Sequence, residues 1–375
     1  MHVPYNYLPM QFANTENIFR DWEKLIKSSE FTLGPVMEAF EQKFADFVNI
    51  KHCIATNNGT DALILAFKSL GLGAGDEAIT VCNTFYATVG AIVACGAKPI
   101  FVDCDERFQM DVSKLEAAIT DRTKVIVPVH WGGASPDMNA VCAVATRHGI
   151  EIVEDACMGI GASIKGRSPG TFGRVNAFSM HPLKSLNVMG DGGMVVTNDE
   201  ELAIWMRKYR NHGMIDRNHI EFWGVNMRLQ PLQAIVASHG LDDLNDVIEK
   251  RCRNAARLDS GLRVLAPWVT LPPRPVNYTE TFALYMGIFE HRDQLLRCLI
   301  DNDIEAKVHY PIPLHLQAAA SNLGYNTGDF PIAESQANRL ITLPVHQFIE
   351  NVHVDFMLKV IAEFYDRKKM HKIFN

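Results

Sequence analysis

The sequence predicts an α/β chain: a three-layer α/β/α domain built on a mostly parallel sheet, over residues 1–245, followed by a smaller α+β unit over 246–375. Three observations lead there. Between about residues 50 and 200, short apolar runs alternate with helical patterns in a βαβα rhythm. From Pro231 to Leu262 one long helical pattern leads out of that region. Beyond it, strand and helix patterns continue without the rhythm.

Taken in order, "CIATNN", "EAITVC", "KPIFVD", "KVIVPVH" and "EIVEDA" read as strands, separated by helices over 60–70, 84–95, 111–119 and 136–148. In the last of these helices Met138, Val141, Cys142 and Ala145 repeat at i, i+3, i+4, i+7 and so form one buried face. "AFSM" and "GGMVVT" add two strands, and 199–210 a further helix. The long helix is expected to be kinked or weakened at Gly240. In the smaller unit "TFALYMGIF", a helix over 292–302, "EAKVHYPI" and a last helix over 351–369 follow the proline-rich "LPPRPVNYTE". Residues 1–30 are expected to pack as an arm on the large domain.

The composition sets bounds on function. With 375 residues, 47% hydrophobic and 21% charged, the chain can bury a large core. No apolar run approaches the roughly 20 residues of a membrane span, and "MHVPYNYLPM" lacks the build of a signal peptide, so a cytoplasmic protein is expected. The eight cysteines stand singly, without metal-like Cys/His spacing, and read as reduced; no metal is expected. A net charge of -7 gives no broad attraction for nucleic acid or anionic lipid, and the basic stretch at 366–372 reads as a solvated helix end.

"GLGAGD" at 71–76 follows a helix and precedes a strand, the reverse of a dinucleotide-binding turn. "NNGTDALILAF" at 57–67 has the right order: strand, glycine turn, then a helix start with Thr60 in its first turn, where free N–H groups could hold one phosphate. In "EIVEDACMGIG", Glu154 and Asp155 fall at the C-terminal end of a buried strand, the edge where open α/β sheets bind ligands. Ser179 ends the "NAFSM" strand, and Lys184 lies in the connection before "GDGG". Singly, these read as a helix cap, a capping aspartate and a surface lysine. Together they match the needs of pyridoxal phosphate: an amine for its aldehyde (Lys184), an acid for its ring nitrogen (Asp155) and donors for its phosphate (Thr60, Ser179). Phe85, at another strand-to-helix turn, is the choice for the aromatic over the ring.

The ordered motifs "NNGTDAL", "VEDAC", "FSMHPLKSLNVMGDGG", "RNHG", "GVNMRLQPLQAI", "HYPIPLHLQ" and "GDFPIAESQANRLITLPVH" resemble the DegT/DnrJ/EryC1/StrS sugar aminotransferases over nearly the whole chain. The resemblance implies a fold-type I, aspartate-aminotransferase-like architecture and a homodimer with active sites at the subunit interface. By motif position it makes Lys184 the Schiff-base lysine and Asp155 the partner of the pyridine nitrogen. Gly59, Thr60 and Ser179 hold the phosphate, Phe85 stacks on the ring, and Asn226 reaches the neighbouring subunit's phosphate. Phe31, His130, Trp131, His181, His309 and Tyr310 lie in motifs that line the sugar pocket, and Lys307 and Arg228 are candidates for holding substrate carboxylates. Two departures stand out: Met158 where the family usually has Gln or His, and "GDGG" for "GEGG" at Asp191. Relatives with His in place of the lysine remove a sugar hydroxyl, so Lys184 points to transamination, with L-glutamate as donor and a keto or aldehyde sugar as acceptor. Within the family, "HPLKSLNVMGDGG" resembles the members that aminate the C8 aldehyde of an oxidised 3-deoxy-octulosonate (Kdo) for lipopolysaccharide; a nucleotide-linked 4-keto or 3-keto hexose is the alternative acceptor.

Overall fold

Strongly apolar five-residue segments with no room for solvent on either face make the centre of the molecule. The computed structural model describes the backbone of residues 1–373 and the side chains of residues 1–369. Four strands, β2 (Glu77–Val81), β3 (Lys98–Val102), β4 (Thr123–Val127) and β5 (Glu151–Ile152), pair in parallel in the order β3-β2-β4-β5. Three more, β1 (His52–Thr56), β6 (Val175–Ser179) and β7 (Gly193–Thr197), form β1-β7-β6 with β7 antiparallel to both neighbours. Asp155 bridges Val129 on one side and Ala177 on the other, both in parallel, and so joins the two halves. β2 and β7 are buried along their whole length, as strands covered on both faces must be.

The helices start where the sequence offers a cap. Asn58 accepts the Asp61 N–H at the head of α3 (Gly59–Ser69), Asp137 that of Ala140 at α5 (Met138–His148), and Asp199 that of Leu202 at α6 (Glu200–Tyr209). Met138, Val141 and Ala145 face the core as their spacing predicts. The expected helix over 111–119 is instead two 3-10 turns, Val112–Lys114 and Glu116–Ala118. Asp111 caps the first turn with its own side chain, and such short local hydrogen bonds compete with an α-helix.

The long helix α7 (Pro231–Arg263) runs without interruption through Gly240, against expectation. A side chain there would come within 3.1 Å of Leu186, so the glycine makes room for the connection that carries Lys184. The first half of α7 packs Ala234, Leu241 and Leu244 into the large-domain core; the second half packs Ala255, Leu258 and Leu262 into the core of the smaller domain. That domain holds an antiparallel sheet of Val269–Thr270, Tyr285–Phe289 and Leu340–Leu343, covered by Arg292–Asp301 and the helix Asn351–Ile373. "EAKVHYPI" forms no full strand; only Lys307 bridges to Thr342. In the stretch 366–372, the side chains of residues 370–372 lie outside the described residues.

The amino-terminal arm also corrects the expectation. Glu16–Ser28 does pack on the large domain, against Ile235 and Val236 of α7. The first residues do not: Val3 is fully buried in the small-domain core and bridges Ile304, while Tyr7 and Gln11 return to the connection that carries Lys184. A buried valine in a β-bridge is a better-satisfied end than a free arm. Leu258→Ala should cost about 2–5 kcal/mol of stability through the cavity it leaves in that core, read as a lower urea midpoint at unchanged slope.

Candidate active site

Alternation along a strand decides what each neighbour of Asp155 does. Asp155, 5% exposed, takes the Thr88 hydroxyl on Oδ2 at 2.6 Å and the Cys157 N–H on Oδ1 at 3.2 Å. Thr88 lies in the first turn of α4 (Tyr86–Ala94) and its hydroxyl is 3.1 Å from that of Thr84. Glu154 points the other way. It is wholly buried, bonded to His130 Nε2 at 2.8 Å and to the N–H groups of Gly170, Phe172 and Gly173. The pair read together in the sequence therefore splits into a site carboxylate and a structural one.

Across from Asp155, the start of α3 approaches the end of β6 so closely that a methyl group on Gly59 would lie 2.7 Å from Ser179 Cβ. Thr60 stands beside Gly59 in the first helical turn, partly exposed, with no hydrogen-bond partner for its hydroxyl among the described residues. Ser179 Oγ accepts the His181 N–H at 3.3 Å. Lys184 follows in the same connection, and its ammonium has no hydrogen bond or ion pair among the described residues. Burial pushes its pKa below the ordinary lysine value, with Cys157 and Asp155 opposing. Burial pushes the Cys157 thiol well up, which keeps it neutral.

The smaller domain closes the group from the far side. His309 stacks on Tyr5 at 5.9 Å and bonds Thr342 Oγ1 at 3.0 Å. Burial, then the charges of Lys184 and Lys307, hold His309 down at about 4, an uncharged imidazole at neutral pH. Tyr310 lies 6.0 Å from Phe85 and 5.7 Å from Trp131, and burial pushes it up to about 12. His181 is exposed, its pKa lowered by partial burial and by Lys184.

Of the pocket candidates, His130 is fully buried and tied to Glu154 and Ser135 Oγ, which connects it to the 170–173 loop that Glu154 holds. Trp131, 1% exposed, packs in the core with Tyr310 at 5.7 Å. Phe31 stands exposed in the turn before the helix Pro35–Val48. Asn226 is exposed and accepts the Arg228 Nε–H at 3.0 Å. Its segment runs beside the α3 start, Asn57 N–H bonding Met227 O. Met158 packs its side chain against the apolar core, so the expected polar group is absent at that position. The sequence reading missed Thr88, whose only signal was its place one turn beyond Phe85, and Tyr7 and Asn187, which both hold the Lys184 carbonyl.

The group fits pyridoxal phosphate on its own terms: a free amine, a sheet-end carboxylate with one hydrogen bond on each oxygen, and a glycine-thriftily packed helix start. Asn57 Oδ1 and Ser185 Oγ, next to the α3 start and to Lys184 in the chain, are buried polar atoms without a partner among the described residues. Fold and site together define a fold-type I pyridoxal-phosphate-dependent aminotransferase. Residues 13–362 match the model of the DegT/DnrJ/EryC1/StrS aminotransferase family, and the chain belongs to that family. It is 36% identical to a UDP-2-acetamido-2-deoxy-3-oxo-D-glucuronate aminotransferase of Pseudomonas aeruginosa, over 91% of this chain and 94% of that one. It is 37% identical to a dTDP-3-amino-3,4,6-trideoxy-alpha-D-glucose transaminase of Micromonospora megalomicea, over 96% and 97%. The crystal structure of S. venezuelae DesV in complex with a ketimine intermediate superposes with a TM-score of 0.94 at 36% identity, covering 97% of this chain and 98% of that one.

Gly59→Ala should weaken pyridoxal phosphate binding about tenfold or more, because the added methyl must push the helix start off Ser179; titration of the apoprotein by fluorescence measures it. A pH effect follows from the imidazoles. His309 and His346, both held at about 4 mainly by burial, are near 6.5 when unfolded. Between those values the unfolded chain binds more protons, so their share of stability is complete above pH 6.5 and lost as pH falls toward 4. Thermal melts of the double variant His309→Gln/His346→Gln should decline less over that window than the parent's.

Proposed function

We propose that the protein transfers the amino group of L-glutamate to the C8 aldehyde of 8-oxo-Kdo, giving 8-amino-3,8-dideoxy-D-manno-octulosonate for lipopolysaccharide, as a cytoplasmic homodimer. The observation that carries the transfer chemistry is Lys184: an amine whose burial favours its neutral form, beside Asp155 and without a fixed partner. When bound, pyridoxal phosphate supplies an electron sink and a carbon that carries nitrogen from donor to acceptor. Lys184 Nζ takes the α-proton of glutamate and, in the reverse half, delivers a proton to the acceptor carbon that gains nitrogen. Asp155, oriented by Thr88 and the Cys157 N–H, holds a proton at the ring nitrogen. Gly59, Thr60 and Ser179 bind the phosphate, Phe85 covers the ring, and Asn226 serves the partner's site.

Support for the octulosonate comes from the resemblance of residues 181–193 and from cations that lack counter-ions. Lys307 makes no ion pair among the described residues; it lies over the Tyr5 ring at 5.9 Å and its charge is felt at His309, as that of Lys184 is. A sugar acid gives that ammonium a carboxylate. Among the described residues the Arg228 guanidinium bonds the side-chain amides of Asn226 and Asn211 and makes no ion pair. For the dimer, the hairpin Met214–Asp216/His219–Ile220 and its flank expose Ile215, Ile220 and Trp223, the last at 87%. Among the described residues no helix is long and apolar enough to cross a membrane. The second acceptor class, a nucleotide-linked 3-keto or 4-keto hexose, is favoured by the names of the relatives, which carry UDP- and dTDP-sugars.

A panel of 8-oxo-Kdo, UDP-3-keto and dTDP-4-keto sugars, offered to enzyme first converted with L-glutamate, discriminates the two: return of the visible cofactor band with 8-oxo-Kdo alone is the expected result, and return with only a nucleotide sugar replaces the first acceptor by the second. Lys184→Ala should lose about 10²–10⁴-fold or more in turnover, and Asp155→Asn should keep the cofactor yet slow proton transfer.

A further inference from the structure

The Lys184 carbonyl takes one hydrogen bond from its own connection and one from the amino-terminal segment. Tyr7 Oη donates to it at 2.8 Å and Asn187 Nδ2 at 3.1 Å. Asn187 is in turn fixed by Gln11, the two side-chain amides exchanging bonds of 3.2 and 3.0 Å. Within the connection, Lys184 N–H reaches His181 O and Val188 N–H reaches Met180 O, Leu186 and Val188 are buried in the large-domain core, and the buried Ser185 hydroxyl has no partner among the described residues. The backbone that carries the amine is thus tied to Tyr7 directly and to Gln11 through Asn187.

That segment is anchored at its other end to the smaller domain. Val3 exchanges backbone bonds with Asp303 and Glu305. The Tyr5 N–H meets Glu305 Oε2 at 2.7 Å, and Pro4 O accepts His346 Nε2–H at 2.9 Å. The Tyr7 ring, 3% exposed, is gripped between His346 at 5.1 Å, Phe348 at 6.4 Å and the Arg251 guanidinium at 5.2 Å. So a stretch of nine residues, 3 to 11, connects the small-domain core to the carbonyl of Lys184.

We propose that Tyr7, assisted by Gln11 through Asn187, is a positioning residue for the catalytic amine, and that the amino-terminal segment sets the placement of Lys184 relative to the smaller domain. The proposal rests on the reading of Lys184 as the catalytic amine. Tyr7→Phe removes one hydroxyl and keeps the buried ring, and Gln11→Ala removes only the amide that fixes Asn187. Both are tested as full-length enzyme loaded with pyridoxal phosphate. The glutamate half-reaction is followed by stopped flow, and the visible absorption and circular dichroism of the cofactor are recorded against pH.

Tyr7→Phe should slow the half-reaction about 10- to 100-fold at saturating glutamate with the glutamate concentration dependence unchanged, as expected when a reacting group is misplaced by a fraction of its reach. The pH midpoint of the visible band and its dichroism should shift with it, and Gln11→Ala should move both in the same direction by less. Parental rates and midpoints in both variants, or a lower melting temperature with parental rates, overturn the proposal. Should Tyr7→Phe fail to fold, Gln11→Ala decides alone. A fully active Lys184→Ala would instead remove the reading beneath it, whereas an inactive Lys184→Ala beside parental Tyr7→Phe and Gln11→Ala overturns only this inference.

Discussion

A carboxylate held in the middle of a sheet, at the join of its two halves, is the constraint on which the rest of this structure depends. Asp155 pairs with Val129 and Ala177 on either side and is almost without solvent, so its charge requires donors from the protein or from a ligand. The chain provides one donor to each oxygen, from Thr88 and from Cys157. The remaining lone pairs face the edge at which the α3 start, Ser179 and Lys184 converge. Because side chains alternate along a strand, the same backbone sends Glu154 to the opposite face, where three N–H groups and His130 neutralise its isolation.

The amine and the carboxylate are balanced against each other. Desolvation favours the neutral form of Lys184, and the nearby Asp155 pulls the other way. A lysine in bulk solvent would stay protonated and could neither attack a carbonyl nor accept a carbon-bound proton. The depth of this one therefore matters more than its identity as a cation. Gly240 contributes at a distance, since its bare backbone lets Leu186 seat the connection against the long helix.

The long helix Pro231–Arg263 makes the two domains parts of one object, with one half in each core. His309, Tyr310 and Lys307 come from the smaller domain and meet Lys184 and Phe85 of the larger. The amino-terminal residues add a second connection, so the amine is located by contacts from both domains.

Local chemistry made much of this legible in one dimension. Periodicity located the buried face of the helix after Asp137, the Asn-Gly-Thr turn marked a helix start, and the glycine turn, strand-end aspartate and loop lysine pointed to pyridoxal phosphate chemistry. These features depend on neighbours in sequence, where spacing and residue type are sufficient. The same reasoning failed where contacts are distant. The motif around His130 and Trp131 does not show that both are buried, because their partners, Glu154 and Tyr310, lie on other elements. Asp111 turned an expected helix into 3-10 turns, and the long helix continues unbroken through Gly240, where Leu186 packs against the bare backbone. Nothing near Tyr7 in the sequence points to a residue 177 positions away, because a hydrogen bond to a backbone carbonyl leaves no trace in the identity of the residue that accepts it. Fold class and cofactor chemistry follow from residue types at short spacing, whereas the side chains that face the amine follow from burial and from contacts between distant segments, which no local pattern encodes.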